Sequence, residues 1–285
     1  MAQNPYQAIT ADILTQLNNN IVPWHKCWNS VFPLSYKSRK PYSALNSLLL
    51  GNQGGEYLTF KQALDAGGNV RKGAHGKIVF FFASLDVCEK DQNGQKIIDA
   101  ETGKPVKVTV PFLKQYLVFS IADCENVKSK LTEGENRLYE ISDCQEIIDN
   151  YTVLAGLDIE HIAGAEPTYQ RDRDMVIMPD KAAFSLPLEY YHTVFKQLIR
   201  STAAENRLDR KDNPVVEELA AELGASMLLS ISGHDDPAIY DNSAAYINKW
   251  RNYIQNDTRL IVRASSIAEK AVKHIMRFTK QPNAA

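Results

Sequence analysis

Apolar residues recur at Ile9, Ile13, Leu14 and Leu17 in "NPYQAITADILTQLNN", the spacing of one helical face. The pattern then breaks over "IVPWHKCWNSVFPLSYKSRKPYSALNSLLLGN", an irregular, aromatic and basic stretch whose end, "YSALNSLLL", reads as a short helix. A further short helix starts at Thr59 and is stopped by Gly67-Gly68, ahead of a glycine-rich turn. "KIVFFFAS" and "VKVTVPFLKQYLVFSIADC" are strands by their β-branched and aromatic content. The turn signals Asn93-Gly94 and Thr102-Gly103 between them predict a protruding hairpin region. After a polar stretch, "DCQEIIDNYTVLAGL" predicts a helix, and "IEHI", "PTYQ" and "DMVIMP" predict three short strands. Helical periodicity follows near Glu189–Ala203, Val215–Ser230, Ser243–Gln255 and Arg259–Phe278. The fold class is α+β: a mixed α/β unit over residues 1–126, a linker over 127–139, and a small sheet with a helical bundle over 140–285.

Composition adds little to that picture, and charge adds more. A chain of 285 residues with 44% apolar and 23% charged residues suits a soluble protein of two modest domains. The net charge is −2, yet the first 85 residues hold 8 basic against 3 acidic side chains. Such asymmetry marks a polyanion-binding half, and chance sampling produces it about as readily. Cys27, Cys88, Cys124 and Cys144 are scattered with no CxxC pair, which argues against a cysteine zinc site and for a reduced, intracellular protein. No apolar run reaches the roughly 18 residues of a membrane span. The N-terminus lacks the blocks of a signal peptide, so the expected location is cytoplasmic, with no membrane partner.

Two regions carry candidate chemistry. Trp24, Trp28, Phe32, Tyr36 and Tyr42 interleave with Lys26, Lys37, Arg39 and Lys40. Single-stranded nucleic acid is bound by this mixture, with cations along the phosphates and rings against unpaired bases. The same composition also serves as a small domain's own aromatic core, and composition alone favours that alternative. In "GGNVRKGAHGK", glycines allow close approach of a phosphate to the backbone, beside the charges of Arg71, Lys72 and Lys77; the Walker spacing is absent. In the second half, "VVEELAAELGASMLL" places Glu218 and Glu222 four apart on one helical face. His192 precedes Lys196 by one turn and reads as a packed or surface residue; His161 and His234 have no ligand-like partners in the sequence.

Both halves resemble the ArdC antirestriction family. Tyr190-Tyr191, Arg207-Leu208, Arg210 and the run Glu217 to Ala225 are similar to its metallopeptidase-like domain, as is the tail "AAYINKWRNYIQNDTRLIVRASSIAEKA". "PYSALNSLLL", "YLTFKQALDAGGNVRKGAHGKIVFFF" and "VPFLKQYLVFSIADCENV" resemble its N-terminal domain, with Tyr42, Asn46, Phe60, Gln62, Gly68, Val70, Lys72, Gly73, Gly76 and Phe119 in place. Ser43, Ala44 and Ser120 depart from it. The resemblance implies a single-stranded DNA-binding domain and a zincin-like domain. It adds Asn46 and Gln62 to a nucleic-acid-binding set of Trp24, Lys26, Trp28, Tyr36, Lys37, Arg39, Lys40, Tyr42, Arg71, Lys72 and Lys77.

A zincin helix carries HExxH, two histidines for the metal and a glutamate for its water, with a third ligand from a second helix. Here Lys196 and Arg200 stand at the histidine positions and Gln197 at the glutamate. Arginine has no lone pair to offer, and lysine ligates only after losing its proton. Lys196, Gln197, Arg200, Glu218 and Glu222 therefore constitute a vestigial metal site, and neither a catalytic residue nor a metal or other cofactor is expected. In place of the metal, Lys196 and Arg200 are expected to ion-pair with the two glutamates. The implied function is a single-stranded DNA-binding antirestriction protein of a mobile element. The alternatives are a metallopeptidase with ligands elsewhere, or a decoy that grips a host restriction or defence protein.

Overall fold

The structure, a computed structural model, describes residues 4–25, 33–51, 54–89, 94–99, 102–131, 143–234, 236, 239–240 and 244–277. Lys26, Cys27, Trp28, Phe32 and residues 132–139 of the expected linker lie outside the described residues.

The chain is an α+β protein. Helix α1 (Pro5–Asn18) starts on Asn4, whose side chain accepts from the Tyr6 N–H, and buries Ile9, Ile13 and Leu17. Strand β1 (Pro33–Ser35) pairs in parallel with β2 (Gly55–Leu58), with α2 (Ala44–Leu49) between them. Helix α3 (Phe60–Asp65) is held by a capping box between Thr59 and Gln62. The longest strands, β4 (Lys77–Cys88) and β5 (Lys107–Ser120), run antiparallel through twelve facing pairs, from Lys77↔Val118 to Cys88↔Lys107. The sheet order is β1-β2-β5-β4, so β4 is an edge strand. Two-residue strands β3 (Asn69–Val70) and β6 (Cys124–Glu125) fasten the glycine-rich turn back onto the end of β5. Gly68 is required there: a Cβ would lie 2.3 Å from the Glu125 carbonyl oxygen.

Beyond the ribbon's β4 end, Glu89, Ile97 and Val106 exchange backbone hydrogen bonds, and Gly103 turns the chain at φ 64° with its N–H on the Asp99 carbonyl. The Thr102-Gly103 signal thus marks a turn, whereas Asn93 of the Asn93-Gly94 signal lies outside the described residues. The first residues of the expected linker are anchored. The Ser129 hydroxyl and the Lys130 N–H both donate to Glu56, at 2.7 and 2.9 Å, and Arg39 completes an ion pair with it. Glu56 is fully buried, and a buried carboxylate needs this density of donors.

In the second half, α4 (Cys144–Ala155) ends on the left-handed Gly156. A three-stranded sheet follows with β9 (Met175–Met178) at its centre, flanked by β7 (Asp158–His161, parallel) and β8 (Thr168–Gln170, antiparallel). The bundle comprises α5 (Pro187–Ser201), α6 (Pro214–Ile231), α7 (Ala244–Asn256) and α8 (Leu260–Met276). Helix α6 is buried on nearly every side, the mark of a central helix.

One apolar cluster runs through both halves. It takes Ile9, Ile13, Leu17, Trp24, Leu45, Leu48, Phe80 and Leu113 together with the cores of α4 to α8. Polar contacts repeat the join: Trp24 Nε1–H donates to the Tyr246 hydroxyl at 3.1 Å, and the Ala44 N–H to Glu269 Oε2 at 3.0 Å. No described helix is long and apolar enough to cross a membrane.

Candidate functional site

Helices α5 and α6 meet face to face, and their close approach depends on a glycine. A Cβ on Gly224 would sit 2.5 Å from Ile199 Cδ1. The turn between the helices is clamped by two arginines. Arg207, almost fully buried, donates to both carboxylate oxygens of Asp174 at 2.7 and 2.9 Å, and to the Ser201 and Ala155 carbonyls. Arg210 pairs with Glu217 on α6 and donates to the Ile199 carbonyl at the end of α5. Asn213 caps α6 through the Val216 N–H, and Pro214 fills its first position. The "RLDR" element thus fixes how the two helices face each other.

At that interface His192, Lys196 and Arg200 lie on successive turns of α5, opposite Glu218 and Glu222 of α6. The Lys196 ammonium ion-pairs with Glu222 and lies 3.7 Å from Glu218 Oε1. Arg200 ion-pairs with Glu218 and donates to Gln197 Oε1 at 3.1 Å. His192 Nε2 is 3.7 Å from Glu222 Oε2. The ion pairs expected of the two cations are both present.

The electrostatics follow from burial. Only 6% of the Glu222 side chain is exposed. Burial works to raise its carboxyl, but the charge and hydrogen bond of Lys196 outweigh that and hold it below the usual carboxylate range. Burial pushes the His192 imidazole down to about 4, against the pull of Glu222 and helped by Lys196 and His25, so it is neutral at pH 7. Its ring packs edge-on against Tyr240, which also stacks on His25 at 4.6 Å. His25 in turn contacts the Tyr246 hydroxyl at 3.1 Å.

These residues do not fit a divalent ion. Zinc takes three protein ligands with free lone pairs and leaves a fourth position open. Here the ammonium occupies the space between the two carboxylates, both carboxylates are spent on cations, and Gln197 is buried without a base's charge. Among the described residues, no group of three or more His, Cys, Asp or Glu side chains is placed to hold a metal.

The nucleic-acid set is dispersed. Trp24 is fully buried, edge-on to Trp250, and offers no ring face; the core alternative that composition left open applies to it. Tyr36 is buried with its hydroxyl on the Lys128 carbonyl and Lys130 over its ring. Arg39 is committed to Glu56, and Lys77 Nζ to the Leu50 carbonyl at 2.6 Å. Asn46 is buried and brackets the Phe80 peptide, donating to its carbonyl at 2.7 Å and accepting from its N–H at 2.8 Å. Gln62 is part of the α3 capping box. In the glycine-rich turn Gly68 packs against the Glu125 carbonyl, whereas the left-handed Gly73 faces open space. Tyr42 is buried against Tyr57 and Phe81, although it lines a surface cleft. Lys37, Lys40, Arg71 and Lys72 remain exposed, with Arg71 near Glu125 at 3.7 Å.

Sequence reasoning missed His25, Tyr240 and Tyr246 beside His192, since they come from segments far apart in the chain. His161, without a ligand-like partner in the sequence, contacts the Tyr190 hydroxyl at 3.0 Å.

Comparison with known proteins places both halves. A sequence model of the N-terminal domain of the anti-restriction factor ArdC matches residues 3–119, and one of a zincin-like metallopeptidase matches residues 146–267. Two Escherichia coli proteins named DNA primase TraC are 27% and 28% identical, over 98% and 97% of this chain. The chain spans only 20% and 27% of their lengths. The uncharacterized protein y4eC of Sinorhizobium fredii is 27% identical over 93% of this chain and 89% of its own. Crystal structures of the antirestriction ArdC protein from the R388 plasmid, metal-free and Mn(II)-bound, superpose with TM-scores of 0.72 and 0.70. They are 27% identical and cover 97% of this chain and 98% of theirs.

Proposed function

This chain is ArdC-like, an ArdC-type N-terminal domain joined to a zincin-like domain, and from that premise we propose that it is a single-stranded DNA-binding antirestriction protein whose metallopeptidase-like domain holds rather than cuts. It acts in the cytoplasm of a cell that has received a mobile element. Residues 1–126 bind the DNA, and residues 140–285 present a fixed surface to a host restriction or defence protein. Support for the DNA half comes from the domain match, from relatives named as primases, and from the excess of basic side chains in the first 85 residues. The observation that carries the loss of hydrolysis is the Lys196 ammonium seated between Glu218 and Glu222. A hydrolytic ion and a fixed cation cannot share that space, and among the described residues the two carboxylates beside it are both paired with cations.

Two measurements test the reading. Protein dialysed against Mn(II) or Zn(II) is expected to retain far less than one equivalent and to leave unfolded peptide substrates intact. Near-stoichiometric metal with chelator-sensitive cleavage overturns the inactive assignment. Fluorescence anisotropy with single-stranded and duplex oligonucleotides is expected to show preferential single-strand binding that weakens steeply with salt. Weak, salt-insensitive binding to both overturns the DNA assignment.

A further inference from the structure

The β4–β5 ribbon displays aromatic side chains where a soluble sheet usually carries polar ones. Cross-strand partners share a face, so Val79, Phe81 and Ala83 stand with Tyr116, Lys114 and Phe112 on one side of the ribbon. Phe81, Phe112 and Tyr116 are exposed, and Phe82 on the opposite side is 67% exposed. The rings are held in place. Phe81 meets Tyr116 edge-on at 5.7 Å and Tyr42 at 6.0 Å, and Lys114 Nζ lies 5.1 Å from the Tyr116 centroid.

Phe81 and Phe82 form a ridge between two clefts that also share Tyr42. One, of about 650 Å³, continues to Thr59, Gln62, Lys114 and Tyr116. The other, of about 450 Å³, continues to Lys40, Glu269 and Lys273, between the ribbon and α8. Both volumes lie within the range of roughly 300–1,000 Å³ that small ligands occupy. The one carboxylate among these named residues, Glu269, is engaged by the Ala44 N–H and by Lys273 Nζ at 2.6 Å. Lys40 and Lys114 therefore leave the two clefts with a surplus of positive charge.

Resting on the single-stranded DNA reading above, we propose that Phe81, Phe82 and Tyr116 are the stacking platform for unpaired bases, one base in each cleft, with Lys40 and Lys114 on the flanking phosphates. Exposed rings interleaved with cations match the chemistry of a single strand, whose bases offer π-faces and whose backbone is anionic. A polypeptide strand added to the β4 edge fits less well. The outward-facing peptide of Phe80 is already bonded on both sides by Asn46, which interrupts the edge beside the clefts. Tyr42 and Gln62, two members of the predicted set, join this platform as cleft walls rather than as exposed contacts.

The test compares the full chain with Phe82→Ala, Lys114→Ala and, as control, Tyr253→Ala, an exposed ring of α7 outside both clefts. The probe is a fluorescein-labelled oligo-dT titrated at several salt concentrations. Phe82→Ala is expected to weaken binding about tenfold without changing the salt slope, since stacking is not ionic. Lys114→Ala is expected to reduce that slope by about 0.7, one phosphate contact on a single strand. Tyr253→Ala is expected to bind as the unsubstituted chain does. Equal melting temperatures separate these effects from misfolding, and ultraviolet cross-links are expected at residues 81, 82 and 116. Tight binding by the unsubstituted chain that survives both substitutions, with cross-links elsewhere, overturns the platform and leaves the ridge to a protein partner. Absence of single-strand binding by the unsubstituted chain overturns the function reading and the platform together.

Discussion

Glu222 has almost no contact with water, and its charge is tolerable because Lys196 sits on it. A buried ion pair adds little net stability over an apolar pair, but breaking one side leaves an uncompensated charge. Lys196→Met is therefore expected to destabilise the protein by about 3–5 kcal/mol, read from urea unfolding at pH 7. Adding Glu222→Gln removes the stranded charge and is expected to recover a large part of the loss. If Lys196→Met alone falls within about 0.5 kcal/mol of the parent, as an ordinary surface substitution does, Lys196 does not compensate the buried Glu222 charge. The pairing was legible in the sequence because i,i+4 spacing puts residues 196 and 200 on one helical face and residues 218 and 222 on another, and the resemblance to a zincin domain implies that these faces meet. The neutral His192 was not, because its environment includes Tyr240 and, through that ring, His25, 167 positions earlier in the chain.

At the scale of elements, periodicity carried most of the fold. The predicted helices near residues 189, 215, 243 and 259 appear within a few residues as α5 to α8, and the three short strands appear as β7 to β9. What periodicity could not convey was which way an irregular aromatic stretch faces. Trp24, Tyr36 and Tyr42 turn inward, while Phe81, Phe82 and Phe112, which read as ordinary strand residues, turn outward. The α5–α6 packing offers a direct test of how tightly elements fit. In an exposed helix Gly→Ala gains about 1 kcal/mol through propensity. Gly224→Ala is expected to lose about 1–3 kcal/mol instead, because the added methyl overlaps Ile199 in a close-packed interface. Combining it with Ile199→Val removes the Cδ1 atom nearest the new Cβ, and should restore part of that loss in the same thermal melts. A stabilised Gly224→Ala variant would show that the helices slide apart freely.

The whole molecule behaves as one packing unit although two domain types compose it. Helix α1 lies on α7, α2 lies on α8, and Trp24 fills a hole lined by Trp250. Removing the first half uncovers apolar surface on α7 and α8, which costs on the order of 5 kcal/mol if two or three large side chains return to water. Calorimetry of the full chain is accordingly expected to show a single transition, with calorimetric and van't Hoff enthalpies in agreement. A fragment of residues 140–285 should melt well below it and bind a hydrophobic dye. Two resolved transitions, the upper one matching that fragment, would mean that the shared core is not cooperative. The same packing has a functional consequence. The cleft formed by Lys40, Phe82, Glu269 and Lys273 is built from both halves. On the proposed platform a strand lying in it would bind only the joined form, and by linkage would stabilise the attachment of the second half to the first. Oligo-dT at a hundred times its dissociation constant should raise the unfolding free energy of the full chain by about 2.7 kcal/mol. It should leave the 140–285 fragment unmoved, which ties DNA capture to the integrity of the whole.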